Sequence, residues 1–335
     1  MTQTTIVNQF RLCFRMREQD PSLGISTAYR LFNGFYEGLP GLVVDRYANT
    51  IVISNHSRQP ENLNSEIDQI ARLISTDIPG IESVLLKVRH AIDPEKRKGR
   101  LLFGERLPQE ISEYSVRYAL NLRLHQDDSF YLDTRNLRSW LIQNSRGKSV
   151  LNTFAYTGSL GIAALAGGAA LVLQTDTNKE FLALAEKSRQ LNQLPDSMRL
   201  WNSDFFKAAA RLKQAKSLFD ILILDAPFFS QSRFGAVDLQ KESVSLINKA
   251  RPLVAHEGRL VVINNSLFVP GSQVIDEINE LSQSGYISLE QIIEIPHDIT
   301  GYPETIRSAP PTKPEPFNHP TKIAILIITR KDKAV

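Results

Sequence analysis

From about residue 134 onward the chain alternates short apolar runs with amphipathic stretches. Val150–Thr153, Ala170–Thr175, Asp220–Leu224 and Arg259–Asn264 are apolar runs of strand length. Segments near 134–144, 159–167, 178–193, 204–214, 239–251 and 271–284 carry apolar residues at helical spacing. In 178–193, for instance, Phe181, Leu184, Ala185 and Leu191 fall on one face. Strands alternating with helices of this length build βαβ units and a parallel sheet. Two more strands, 286–295 and 322–329, flank a loop at Pro303–Pro320. That loop is too long and too rich in proline to be core, so it is either a lid or a disordered excursion.

The pattern before residue 134 is different. Residues 1–25 are polar, show no clear periodicity and read as an arm. Leu42–Val44 and Ile51–Ser54 read as strands joined through Asp45–Asn49, 62–75 as an amphipathic helix, and Ser83–Val88 and 112–124 as further strands. The expected organisation is an arm (1–26), a small α+β domain and candidate RNA-binding unit (27–125), and a Rossmann-like α/β domain (126–335). No internal repeat is evident.

Composition narrows the setting. In 335 residues, 42% are hydrophobic and 22% charged, as in ordinary globular proteins. No run of about 18 apolar residues and no charged-then-apolar leader occurs, so neither a membrane span nor a secretory signal is expected. The single cysteine, Cys13, excludes an internal disulfide or a cysteine-cluster metal site; no metal is expected, and the cytoplasm is the expected compartment. The net charge of +3 does not by itself indicate nucleic acid. KVRHAIDPEKRKGR (87–100), with six Lys/Arg against two acids, is either a solvated loop or a phosphate-contacting surface.

The chemistry is written at strand ends, where ligands bind in doubly wound sheets. VLNTFAYTGSLGIAALAGGA, starting at Val150, runs from a strand through a small-residue turn (Tyr156, Thr157, Gly158, Ser159) into a helix. The turn lacks G-x-G-x-x-G spacing, which argues against a dinucleotide. Asp176 suits the two hydroxyls of a ribose, or caps the following helix. Asp204 suits an adenine amino group, a helix cap, or both. Asp225 opens DAPFFS directly after ILIL, placing a carboxylate, a rigid turn and ring faces together. A planar base would stack on Phe228 or Phe229 and donate amino hydrogens to Asp225; the alternative is a strand stop with core phenylalanines. In SFYLDTRNLRSWL (129–141), Arg135 suits a ligand carboxylate, or Asp133 caps a helix with Arg135 on its surface. Ribose, adenine and carboxylate without phosphate describe S-adenosylmethionine better than NAD.

These motifs resemble class I S-adenosylmethionine-dependent methyltransferases of large-subunit ribosomal RNA. The likeness is to the cytosine carbon-5 enzymes that carry a PUA domain, and to the guanine-N7 half of the bifunctional guanine enzymes. FYLDTR looks like the family's F-[FY]-L-D-x-R element, and AYRLFNGFYEGLPGLVVDRYANTIVI (28–53) like the domain preceding the methyltransferase in the PUA-bearing group. The likeness covers roughly residues 28–330. It implies a seven-stranded sheet whose last strand is antiparallel, and cofactor contacts from Asp133, Arg135, Phe154, Tyr156, Thr157, Gly158, Asp176, Asp204 and Asp225.

The chain departs from the family at four places. Only about 27 residues precede the matching region, so a PUA domain is not expected. Ala226 stands where the family has the first proline of Asp-Pro-Pro. Gln126-Asp127-Asp128-Ser129 replaces a Lys-Thr-Gly run, setting two acids where a cofactor carboxylate is expected. Asn264, Asn265 and Ser266 occupy the place of the cysteine turn of the cytosine enzymes. Carbon-5 methylation needs a nucleophile to add at ring carbon-6, so its absence favours a ring or exocyclic nitrogen as acceptor. The expectation is an S-adenosylmethionine-dependent methyltransferase acting on a nucleobase of RNA, large-subunit ribosomal RNA by resemblance, as a monomer or homodimer without a membrane partner. Asp225, Pro227, Phe228 and Asn264 would serve the reaction, with Asn265 supporting the turn. A retained cofactor pocket in a non-catalytic RNA-binding or assembly protein, and a protein or small-molecule acceptor, are the alternatives. In the late loop, Tyr302 and Phe317 are candidates for base stacking, His297 and His319 for proton transfer, and Arg307 and Lys322 for phosphate.

Overall fold

The computed structural model describes residues 3–232 and 234–331; residues 1–2, 233 and 332–335 of the expected segments lie outside the described residues. The chain divides into two compact units. One holds the described residues up to Asp133 together with Pro296–Pro310, the other Thr134–Ile295 together with the described residues from Pro311 onward.

The first unit comprises α1 (Gln3–Glu18), β1 (Ala28–Asn33), α2 (Gly34–Glu37), β2 (Leu42–Tyr47), β3 (Thr50–Asn55), α3 (Asn64–Asp77), β4 (Ser83–Val88), α4 (Pro94–Lys98), β5 (Arg100–Phe103), β6 (Glu110–Glu113) and β7 (Val116–Ala119). Strands β1 to β5 form one sheet in sequence order, antiparallel except for the β3–β4 pair, which α3 crosses over. Helix α1 fills most of the segment expected as a polar arm without periodicity, and it does have a periodic buried face. Ile6, Phe10, Cys13 and Arg17 follow one another at four-, three- and four-residue steps and are all buried, the spacing of one helix face. The stripe escapes a hydrophobicity reading because a cysteine and an arginine fill two of its four positions. Phe10 and Cys13 join Leu31, Val44, Ile53 and Ile70 in the unit's core. The run 112–124, expected as one strand, contains the β6–β7 hairpin. Tyr114 and Ser115 make its two-residue turn at positive φ without the usual Gly or Asn.

Part of the late loop belongs to this unit: Thr305 Oγ1 donates to Glu37 at 2.5 Å and the Arg307 amide to Tyr36 O at 2.6 Å, so this stretch is an ordered part of the unit and not a disordered excursion. Asp298 accepts from the Arg30 amide at 2.9 Å, Asn33 Nδ2 donates to Ile299 O at 2.9 Å, and Tyr302 donates its hydroxyl to Asp20 at 2.6 Å. Pro296–Pro310 is thus a strap held by buried polar contacts.

The second unit contains α5 (Arg135–Asn144), β8 (Ser149–Thr153), α6 (Ser159–Ala166), β9 (Leu171–Asp176), α7 (Lys179–Leu191), β10 (Met198–Asn202), α8 (Phe205–Gln214), β11 (Phe219–Leu224), β12 (Phe229–Ser232), β13 (Gly235–Asp238), α9 (Ser243–Ala250), β14 (Val254–Asn264), α10 (Gly271–Ser282), β15 (Ile287–Ile293) and β16 (Lys322–Ile328). Its seven-stranded sheet runs β10-β9-β8-β11-β14-β16-β15, parallel except for the last strand, β16, which is antiparallel to both neighbours. This is the expected Rossmann-like architecture. Strand β10 gives no apolar run because it is an edge strand with one buried residue, Met198. The buried face of α7 is Leu182, Ala185 and Ser188, one position round from the stripe read in the sequence. The β12–β13 hairpin was not expected.

Candidate active site

The order of the strands reverses between β8 and β11, which makes their carboxyl ends the switch point of the sheet. Thr153 pairs with Thr175 on one side and with Leu224 on the other. Phe154, Asp176 and Asp225 are therefore the next residues out on three adjacent strands, spaced about 4.8 Å apart from strand to strand. The structure brings these three together.

The turn after β8 is wound by positive φ at Phe154 (52°), Tyr156 (50°) and Gly158 (77°). A cost of about 1–3 kcal/mol attaches to each such non-glycine residue, and such strain clusters at binding sites. The half-buried Phe154 ring stacks on Phe205 with centroids 5.1 Å apart. Tyr156 meets Phe181 edge-on at 4.5 Å, and Thr157 is buried.

Gly158, expected as a cofactor contact, has a packing requirement of its own. Its N–H donates to Ala155 O at 2.8 Å, and an added Cβ would stand 2.5 Å from Ala185 Cβ and 2.8 Å from Gln174 Nε2. A Cβ on Gly161 would lie 2.4 Å from the same glutamine. Both glycines let α6 close onto β9, where Asn152 donates to Gln174 at 2.9 Å. Gly158 shapes the turn from below.

Asp176 is not the helix cap: Asn178 is, accepting from Glu180 N–H at 2.8 Å. The Asp176 carboxylate instead accepts Tyr156 N–H on one oxygen and Asn178 N–H on the other, each at 2.8 Å. One acceptor site on each oxygen remains for a pair of hydroxyls. Burial pushes its carboxyl above the usual range, against the backbone N–H groups of Asn178, Tyr156 and Thr177. Asp204 caps α8, accepting from Phe206 and Lys207 N–H at 2.9 and 3.4 Å. Its capping role is thereby seen.

Asp225 is half-buried, Ala226 fully buried, and Pro227 and Phe228 exposed. Asn265 Nδ2 donates to Ala226 O at 3.4 Å, tying the turn to the end of β14. Asn264, expected to orient a base, requires correction. It is the last residue of β14, which lies between β11 and β16 and is buried on both faces there; it is 2% exposed, and its Oδ1 accepts from Ser266 N–H at 3.0 Å. It borders a cavity of about 20 Å³ beside Ala226, Ser243 and Glu277, room for about one water. The exposed amide of the pair is Asn265.

Asp133 falls in the first unit and Arg135 in the second. Arg135 is 2% exposed, which excludes the surface alternative, and Thr134 is the N-cap residue of α5, which excludes Asp133. One turn on, Arg138 is fully buried and donates to Thr134 Oγ1 at 2.7 Å; sequence reasoning missed it because charged residues are rarely placed in cores. Asp133 lies in the field of Arg30.

The two unexpected acids have partners within the first unit. Asp128 pairs with the buried Lys87 at 2.6 Å and Asp127 with Arg89 at 2.6 Å. These pairs, with Lys98–Glu95 at 3.0 Å, also neutralise half the cations of 87–100. Of the late-loop candidates, Tyr302 is held by Asp20, Phe317 is buried in the second unit's core, and His319 Nδ1 accepts from Thr321 N–H. Lys322 is buried, donating to Ser266 O at 2.8 Å, Val269 O at 2.9 Å and Pro320 O. Burial pushes its ammonium down to about 8. It ties the 266–269 loop and is not placed for phosphate. His297 and Arg307 belong to the strap of the first unit. Among the described residues no cluster of His, Cys, Asp and Glu suits a metal, and no helix is long and apolar enough to cross a membrane.

As a donor set, a half-buried carboxylate with room for two hydroxyls, an aromatic wall and a second carboxylate two strands along suit an adenosine carrying positive charge. Comparison with known proteins agrees. Residues 31–299 match the S-adenosylmethionine-dependent methyltransferase family. "Ribosomal RNA large subunit methyltransferase I" of Photobacterium profundum is 31% identical over 210 residues, covering 62% of this chain and 53% of that protein. Its counterpart in Aeromonas salmonicida is 32% identical over 229 residues, covering 67% and 57%. The chain thus spans just over half the length of these curated relatives. A solved methyltransferase complexed with SAH superposes with a TM-score of 0.85 at 21% identity, over 98% of this chain and 82% of that one. A S-adenosylmethionine-dependent methyltransferase structure from Streptococcus mutans gives 0.83 at 21%, with the same coverage. At that identity the likeness establishes the fold.

Proposed function

The chain belongs to the S-adenosylmethionine-dependent methyltransferases, and from that premise we propose that it methylates a nucleobase nitrogen of RNA, large-subunit ribosomal RNA by its curated relatives' names, without a covalent enzyme–base adduct. When bound, the cofactor supplies an electrophilic methyl group on a sulfonium. Asp176 holds the ribose hydroxyls, Phe154, backed by the buried Phe205 ring, walls the adenine, and Arg135 takes the carboxylate. Asp225 accepts amino hydrogens of the base, Phe228 stacks it, and Pro227 holds the turn rigid. Asn265 takes over the role expected of Asn264, fixing the turn through Ala226 O and offering an amide at the base edge. Attack by a neutral ring nitrogen would then need only alignment; an exocyclic amino group would in addition lose one proton, for which the Asp225 carboxylate is the acceptor at the turn.

One observation carries the choice of nitrogen over carbon-5. The chain's single cysteine, Cys13, is fully buried in α1 within the first unit's core, and burial, with Glu37 adding to it, pushes its thiol far up. A thiol so placed is neither exposed nor ionised, so it is no nucleophile. Cys13→Ala is accordingly expected to cost about 1 kcal/mol of stability and to leave the methyl-transfer rate within twofold of wild type. Incubating the chain with labelled S-adenosylmethionine and large-subunit ribosomal RNA, then mapping the methylated nucleoside by mass, tests the whole reading. A methyl on cytosine carbon-5 overturns it, as does no RNA labelling with normal cofactor binding.

The raised carboxyl of Asp176 gives a second expectation. Only the ionised form accepts from both hydroxyls, so cofactor affinity falls as pH drops through a pKa above that of an ordinary aspartate. Calorimetry between about pH 4 and 7 should show this loss begin above the ordinary range near 3.9. Asp176→Asn should bind weakly with that limb of the profile absent.

A further inference from the structure

Hydrophobic exposure is concentrated around the Asp225 turn. Among the described residues, four of the five exposed phenylalanines, Phe228 (38%), Phe229 (62%), Phe234 (45%) and Phe268 (64%), lie there, with Leu267 at 50%. Phe228 and Phe268 face each other at 6.2 Å. Phe229 opens β12, and Phe234 stands at the other end of the β12–β13 hairpin, so the rings lead away from the turn. The hairpin is seated rather than loose: a Cβ on Gly235 would lie 2.7 Å from the Phe206 ring. Cations accompany the rings. Lys207 Nζ lies 5.9 Å from the Phe234 centroid, Lys249 Nζ 6.0 Å from Phe206, and the Arg211 guanidinium 4.6 Å from Trp201, and all three cations are exposed.

Exposed rings in series beside ammonium and guanidinium groups are the chemistry of single-stranded nucleic acid: the bases stack while the cations follow the phosphates. A duplex offers no unstacked base to such rings. We infer that the β12–β13 hairpin, through Phe229 and Phe234 with Lys207 and Lys249, binds the unpaired nucleotides flanking the target base. This rests on the RNA reading above and names its form: an unpaired segment of RNA. The direction of the rings from the reaction turn, and the cations beside them, favour RNA over a protein partner or a second copy.

The test uses the full chain and a labelled twelve-nucleotide single-stranded RNA, with a duplex of the same sequence as comparison. The wild type should prefer the single strand. Phe229→Ala and Phe234→Ala should each weaken binding about five- to hundredfold, with the salt slope unchanged and S-adenosylmethionine affinity intact. Lys207→Ala and Lys249→Ala should each lower the slope of log K against log salt by about 0.7. Equal binding by the phenylalanine variants overturns the inference and leaves the RNA reading standing. Failure of the wild type to bind any RNA, with normal cofactor affinity, removes the RNA reading itself. A wild-type dimer that the same substitutions dissociate would assign the rings to a second copy, against the inference.

Discussion

Replacing Asp225 with asparagine should lower the rate of methyl transfer by about 10²–10³-fold while leaving the fold intact. The carboxylate sits directly beyond β11 at the switch point, half-buried, on a turn that Pro227 stiffens and Asn265 ties to β14. Asparagine keeps its shape and turns one acceptor into a donor, so an amino group that Asp225 receives would then meet another N–H. The loss of a placed polar group facing the reacting centre has about the stated size. It should fall mainly on kcat, because on the proposed reading Asp176 and Phe154 hold the cofactor without it. Asp204→Ala is the control. Its carboxylate caps α8, so it should lose about 1 kcal/mol of stability with kcat changed little. Single-turnover rates with saturating cofactor measure both. An Asp225→Asn protein retaining a third or more of the wild-type rate would remove this residue from the reaction.

What the chain discloses about itself follows from which forces set each feature. The parallel strands and their helices are legible because burial of both sheet faces imposes apolar runs, as in β8 and β11. Asp176 and Asp225 are legible because topology alone puts strand ends at the ligand edge. Strand β10 is silent because an edge strand buries little, and the β6–β7 turn because Tyr114 and Ser115 adopt positive φ without a marker residue. Asn264 and Asn265 show where motif reading stops: β14 is buried on both faces and ends at Asn264, so the place where the strand stops decides which amide is exposed. Gly158 carries a helix–strand approach that the small-residue turn alone does not announce, because Gln174 and Ala185 lie sixteen and twenty-seven residues further on. Asp127 and Asp128 looked misplaced beside a cofactor because their partners, Arg89 and Lys87, lie nearly forty residues earlier. Pairings across such distances leave no local signature.

The first unit depends on another pair of that kind, and breaking it should have the largest effect on stability. Arg17 Nη1 and Nη2 meet the Glu37 oxygens at 2.8 and 3.0 Å, both side chains fully buried. The remaining guanidinium hydrogens go to Arg30 O, Cys13 O and Asp298 O at 2.8, 3.2 and 2.8 Å, so all five donors are used. Glu37 also accepts from Asn33 N–H at 2.7 Å and Thr305 Oγ1 at 2.5 Å. One ion pair therefore joins α1, β1, α2 and the strap. Arg17→Met strands a buried carboxylate, and the expected loss is about 3–5 kcal/mol. Hydrogen exchange at the Arg30 and Asn33 amides, which bond to Asp298 and Glu37, should speed up roughly a hundred- to several-thousandfold. Arg17→Met combined with Glu37→Leu removes both charges and should recover most of that protection, since an apolar pair of similar volume is often as stable as the ions it replaces. If the double variant exchanges as fast as the single, the loss came from packing of α1 rather than from the stranded charge. Exchange in the single variant within fivefold of wild type would show that the strap and α1 are held by other contacts.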